Sequence, residues 1–147
     1  MRTKLIMFGV AAAAALIVWR VVRQDYDWPV TNDEPPGDVV VAFGDSLTRG
    51  FGAAKGEAYP DRLAALLGRP VINAGTDGDT TGQALTRLDH MTAHKPDTGM
   101  LTLGGNDILR RVPAETTLDN LRQIVRRLQA EGAMVVYAAV DPPLIGG

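Results

Sequence analysis

The run Val39-Val40-Val41-Ala42-Phe43 offers no polar group to either face of an extended strand. A strand apolar on both faces needs cover on both, and that is the position of a central strand in a parallel sheet with helices packed above and below. Three later segments repeat the theme. "PVIN" from Pro70, "GMLTLGG" from Gly99 and "AMVVYAAV" from Ala133 read as strands, and helical patterns separate them. After the first run, "YPDRLAALLG" has Pro60 early, Leu63, Leu66 and Leu67 within, and Gly68 as a stop. Thr80, with Gln83 three residues on, forms a capping box that opens a helix running toward His90. Thr116 or Thr117 caps a last helix, in which Leu118, Leu121, Ile124, Val125 and Leu128 share one face and Gly132 is the terminator. Strands and helices in alternation, joined by right-handed crossovers, predict a three-layer α/β/α domain built on a parallel sheet.

Ahead of this domain lies a segment of another kind. Arg2 and Lys4 precede "LIMFGVAAAAALIVW", uninterrupted by charge from Leu5 to Trp19, and Arg20 and Arg23 follow. At about 1.5 Å per residue, Leu5 to Val22 just crosses a hydrocarbon core of about 30 Å if Arg20 reaches the interface. No A-x-A site follows the run, so an uncleaved signal anchor over residues 1–24 is the expectation; a cleaved signal peptide and a buried soluble helix are the alternatives. The charge balance favours a cytoplasmic amino terminus, which puts the domain on the outer side of the membrane. Residues 25–37, with three prolines among several acids, read as a stiff linker, and residues 38–147 as the domain.

Composition removes several function classes. With 15 Lys and Arg against 17 Asp and Glu, the formal charge is −2, and no basic stripe interleaved with aromatics is present to hold nucleic acid. Zero cysteines exclude disulfides, thiolate metal sites and a cysteine nucleophile. No cofactor or metal is implied. A P-loop is excluded, since no G-x-x-x-x-G-K-[ST] is present.

In parallel α/β sheets chemistry collects at the carboxyl ends of the strands. Three loops lie there: "GDSLTRG" with Ser46 after the first strand, "NAGTDGDTT" with Gly78 after the second, and "GGND" with Asn106 after the third. Each alone has an ordinary reading. Asp45 or Ser46 can simply cap the next helix, and Asn106 with Asp107 can simply make a turn. The serine also lacks the G-x-S-x-G surround of an α/β-hydrolase turn, because Thr48 stands where that pattern has glycine.

In order and together, "GDSLT", "NAGTDGDT" and "GGND" resemble the SGNH hydrolases, also called the GDSL esterase and lipase family, over roughly Val39 to Val140. The resemblance is strongest to the bacterial branch of arylesterases, thioesterases and lysophospholipases. It implies a flavodoxin-like sheet and Ser46 as nucleophile. It also implies an oxyanion hole made of the backbone amides of Ser46 and Gly78 and the side-chain amide of Asn106. The expected substrate is a small acyl ester or a lysolipid. Such chemistry is intelligible in itself: a hydroxyl attacks a carbonyl, and pre-aimed donors, each worth about 3 kcal/mol of barrier, receive the developing negative charge.

The family's base comes from a final D-x-x-H motif, and no Asp in this chain has a His three positions later. His90 and His94 precede the asparagine block and read as solvated residues near a helix end rather than as a base or a metal pair. Asp45 reads as a turn residue, Asp79 and Thr80 as helix caps, Asp107 as a support for the asparagine loop, and Arg110 and Arg111 as a solvated face. Asp141 follows the fourth strand without a partner histidine. The expectation is therefore the amino-terminal part of a membrane-tethered esterase, with its last strand and helix and its Asp-His pair outside the chain. The alternative is an inactive acyl- or glycan-binding remnant. Sodium carbonate extraction is expected to leave the protein in the membrane pellet, whereas release as a shorter soluble species identifies a cleaved signal.

Overall fold

A computed structural model describes residues 30–139. The expected anchor in residues 1–24, the first part of the linker and Asp141 lie outside the described residues. Among the described residues no helix is long and apolar enough to cross a membrane.

Four parallel strands, β1 (Val40–Gly44), β2 (Val71–Gly75), β3 (Thr98–Thr102) and β4 (Met134–Tyr137), form one sheet in the order β2-β1-β3-β4. The double-faced apolar run is an interior strand, as its composition requires. All five residues of β1 are buried, and its ladder aligns Val40 with Val71 and Thr98, and Gly44 with Gly75 and Thr102. Between the strands run α1 (Ser46–Arg49), α2 (Tyr59–Leu67), α3 (Thr81–Thr86), α4 (Leu88–Thr92), α5 (Gly105–Leu109) and α6 (Ala114–Ala130). The chain moves one way along the sheet from β1 to β2, then the other way to β3 and β4. Right-handed crossovers therefore send α2 to one face and α3, α4 and α6 to the opposite one.

The principal core lies on that second face. Val41, Phe43, Leu101 and Leu103 meet Ala84, Leu88 and Met91 from α3 and α4, and Ile124 and Leu128 from α6. Of the expected α6 stripe, Ile124 and Leu128 are buried and Leu121 and Val125 are partly so, while Leu118 remains half exposed. The helix also begins earlier than Thr116 or Thr117 suggested. It starts after Pro113 with no side-chain cap, and Thr117 instead hydrogen-bonds back to the Pro113 carbonyl and to Asp107.

Two other helices differ from expectation for identifiable reasons. The leucines of α2 do little burying: Leu66 and Leu67 are exposed, whereas Ala58, just before the helix, and Pro60, in its first turn, are buried. The capping-box helix starts as expected, with Thr80 and Gln83 bonded reciprocally, but breaks at Arg87 into two short helices. That break turns the Arg87 side chain under the sheet's carboxyl end.

Leu128→Ala is expected to lower unfolding free energy by about 2–5 kcal/mol, because it empties a fully buried site. Leu66→Ala, at a residue 85% exposed, should stay within about 0.5 kcal/mol of the parent; urea titrations followed by circular dichroism check both.

Candidate active site

The order β2-β1-β3 makes the gap between the carboxyl ends of β1 and β3 the point where the chain's direction along the sheet reverses, which is where parallel sheets open a crevice. Ser46 leaves β1 there as the first residue of α1. Asp45 caps that helix, its Oδ1 accepting from Leu47 N at 3.0 Å. As the first helical residue, Ser46 has a backbone N–H with no carbonyl within the helix to receive it. Among the described residues neither that N–H nor the Ser46 Oγ has a hydrogen-bond partner.

Two glycines at the sheet end, Gly44 and Gly75, make room for α1. A Cβ on Gly44 would lie 2.1 Å from Thr48 Oγ1 and 2.5 Å from the Thr102 carbonyl, and one on Gly75 would lie 2.2 Å from Arg49 N. These positions are small so that α1 can press onto the ends of its own sheet, not to admit a ligand. Asn73 completes the seat by donating to the Thr48 carbonyl at 2.8 Å. The Tyr59 hydroxyl sits within hydrogen-bond distance of both Thr48 Oγ1 (3.2 Å) and Thr102 Oγ1 (3.3 Å), joining α1, α2 and β3.

Gly78 lies in the loop after β2 with φ +73°, a conformation that glycine adopts without a Cβ penalty. Its carbonyl accepts from Arg110 at 2.7 Å, while its N–H, like that of Ser46, has no acceptor among the described residues. Arg110 also donates to Gln83 Oε1 at 3.2 Å, so it clasps the loop from α5 to α3 rather than forming a purely solvated face.

Asn106, in α5, connects the three loops. Its Nδ2 donates to Asp45 Oδ2 at 3.2 Å and to the Asp79 carbonyl at 2.9 Å. Two acceptors fix the orientation of the amide, and both of its hydrogens are engaged. Asp107, next to it and fully buried, accepts from Thr81 N at 2.8 Å and from Thr81 Oγ1 at 2.6 Å, with Thr117 Oγ1 at 3.3 Å. It supports the asparagine loop by bolting α5 to the start of α3. Behind the loop the Tyr137 hydroxyl donates to the Leu103 carbonyl at 3.1 Å; burial, and then the charge of Asp107, push its phenol above the ordinary value.

The structure thus brings Ser46, Gly78 and Asn106 to one end of the sheet. His90 and His94 are exposed, on α4 and the turn that leads to the amino end of β3, and so lie toward the opposite end. No group of three or more His, Cys, Asp or Glu able to hold a metal ion exists among the described residues. Asp79 does not cap α3. It forms a largely buried ion pair with Arg87 instead. Arg87 is the residue that sequence reasoning passed over: its one signal was a cation between apolar Leu85 and Leu88, on a helix otherwise read as continuous.

Comparison with known proteins covers the stretch that holds these loops. Residues 42–147 match the model of the GDSL-like lipase/acylhydrolase family. The chain is 34% identical over 110 residues to an arylesterase of Vibrio mimicus, covering 71% of this chain and 55% of the relative. It is 36% identical over 113 residues to thioesterase 1/protease 1/lysophospholipase L1 of Escherichia coli, covering 72% and 52%. It therefore spans about half the length of these two relatives. The crystal structure of AlinE4, a SGNH-hydrolase family esterase, superimposes with a TM-score of 0.67 at 36% identity, covering 76% of this chain and 65% of that one.

Asp107→Ala is expected to cost about 1–3 kcal/mol or more, since it strands the buried Thr81 hydroxyl and amide. Asp107→Asn, which keeps one acceptor oxygen, should recover part of the loss in the same urea titration.

Proposed function

The chain belongs to the GDSL-like lipase/acylhydrolase family, and on that premise we propose that it carries the nucleophile and the oxyanion-binding half of a serine esterase acting on acyl esters or thioesters. The observation that carries this reading is the pair of unpartnered backbone N–H groups on Ser46 and Gly78, beside an unbonded Ser46 hydroxyl. Backbone donors held by a rigid sheet end, with no acceptor of their own, are what a developing oxyanion requires.

In the proposed reaction Ser46 Oγ attacks the carbonyl carbon of the substrate and its proton passes to a histidine base. The carbonyl oxygen, now negative, accepts from Ser46 N–H, Gly78 N–H and Asn106 Nδ2–H. Collapse of the tetrahedral adduct expels the alcohol or thiol, which takes the proton from the histidine, and leaves an acyl-serine for water to hydrolyse. Asn106 reaches the oxyanion by giving up its longer bond, the 3.2 Å contact to Asp45, while the Asp79 carbonyl keeps hold of the other hydrogen. The histidine belongs to the family's D-x-x-H motif, which this sequence does not contain.

Leu47, next to the serine in the chain, and Ile108 and Leu109, just past Asn106, are exposed apolar side chains. An acyl chain is the kind of group they suit. The names of the two relatives, arylesterase and thioesterase/lysophospholipase, support the same substrate class. The apolar segment from Leu5 to Val22 supports tethering of the domain to the inner membrane on its periplasmic side.

A fluorophosphonate probe is expected to label Ser46 rapidly in a form of the protein carrying an Asp-x-x-His segment after the fourth strand, and only very slowly in the 147-residue chain. Peptide mass spectrometry locates the label, and a label on another residue removes Ser46 from the role. In the extended form Asn106→Ala should lower kcat by about a hundredfold or more with little change in KM. A change confined to KM would make Asn106 a substrate-positioning group only.

A further inference from the structure

Arg87 occupies the break between α3 and α4, with φ −110° and ψ 14°, and its side chain is 18% exposed. Its guanidinium uses three directions at once. NH2 donates to the Gly44 carbonyl at 2.9 Å, NH1 donates to the Ala74 carbonyl at 3.0 Å, and Nε donates to Asp79 Oδ2 at 2.5 Å. The plane also lies over the Phe43 ring, 4.3 Å from its centroid. One cation therefore joins the carboxyl ends of β1 and β2 to the loop residue that follows Gly78.

Asp79 is the pivot of this arrangement. Its backbone is bonded to that of Gly78, and its carbonyl receives the Asn106 amide. Its carboxylate, 8% exposed, is held by Arg87. Any displacement of Asp79 moves both the Gly78 N–H and the Asn106 Nδ2, while the serine end of the site is fixed through Gly44, whose carbonyl the same guanidinium holds. We propose that Arg87 is a positioning residue that sets the spacing between the Ser46 side and the Gly78–Asn106 side of the oxyanion site, acting through Asp79 and without touching substrate. The proposal rests on the hydrolase reading for its catalytic consequence but not for its geometric one. Lysine cannot replace the fork: its ammonium can meet Asp79 as a point charge but lacks the planar donors that hold both strand-end carbonyls.

The test uses the full chain in detergent as wild type, Arg87→Met, Arg87→Lys and, as a destabilised control, Leu128→Ala. Hydrogen exchange read by mass spectrometry is expected to rise in Arg87→Met across Thr76–Thr81, with the α6 peptide Leu118–Leu128 unchanged. Equal exchange across Thr76–Thr81 in a folded Arg87→Met overturns the proposal. Fluorophosphonate labelling of Ser46, carried out on the same variants in the extended form with an Asp-x-x-His segment after the fourth strand, supplies the second readout. Its limiting rate should fall about 10- to 100-fold in Arg87→Met, as expected of a misplaced donor set, with the half-saturating probe concentration within about twofold and partial recovery in Arg87→Lys. Leu128→Ala should label at the wild-type rate; a matching loss in that control assigns Arg87 to stability alone and overturns the proposal. Raised exchange at Thr76–Thr81 together with an extended wild type, carrying the Asp-x-x-His segment, that never labels at Ser46 upholds the positioning role and defeats the hydrolase reading instead.

Discussion

Strand β1 has a neighbour on each edge and cover on each face, and the remainder of the domain is arranged to satisfy it. Phe43 and Val41 require α3, α4 and α6 on one face; Val40 and Ala42, of opposite pleat, require cover on the other. Because β1 is flanked by β2 and β3, the loops that follow all three strands meet at one end. The site is a consequence of that burial. A polar loop at the end of a fully buried strand has only one direction in which to find solvent.

At that end side chains reach the carbonyls that the strands leave exposed. Arg87 takes the Gly44 and Ala74 carbonyls, and Asn106 takes that of Asp79. Asp107 receives the amide and hydroxyl of Thr81, and among the described residues no buried side-chain nitrogen or oxygen lacks a partner. The backbone N–H groups of Ser46 and Gly78, by contrast, have no acceptor among the described residues. Buried polar networks of this kind hold geometry well because an unmade bond is costly in a low-dielectric interior. Surface pairs such as Arg49–Asp77 and Arg62–Glu57, half exposed on both sides, add little by comparison.

Much of this was legible in the chain. The alternation of double-faced strands with helices, the Thr80–Gln83 capping box, and the three loops bearing Ser46, Gly78 and Asn106 are all read from residues adjacent or a few positions apart. The exposure of Leu66 was not legible. Leucines at helical spacing look like a core stripe, but α2 covers the edge strand β2, where less sheet lies beneath it. The continuous helix expected from Thr80 toward His90 failed for a related reason: propensity runs through Arg87, whereas the buried carbonyls and Asp79 pull its side chain inward at the cost of one helical turn.

The sequence by itself determined the layer order, the interior place of β1 and the residue types brought to the sheet's carboxyl end, because periodicity, capping and glycine punctuation act over a few residues. The tertiary structure alone decided which donors are already engaged and which stay open. The Asn106 amide meets acceptors 61 and 27 residues away in the chain, and Arg87 meets a carbonyl 43 residues away. Such pairings have no local signature. They exist only once the crossovers have brought the ends of β1, β2 and β3 together, and there the high cost of an unpaired buried polar group selects them.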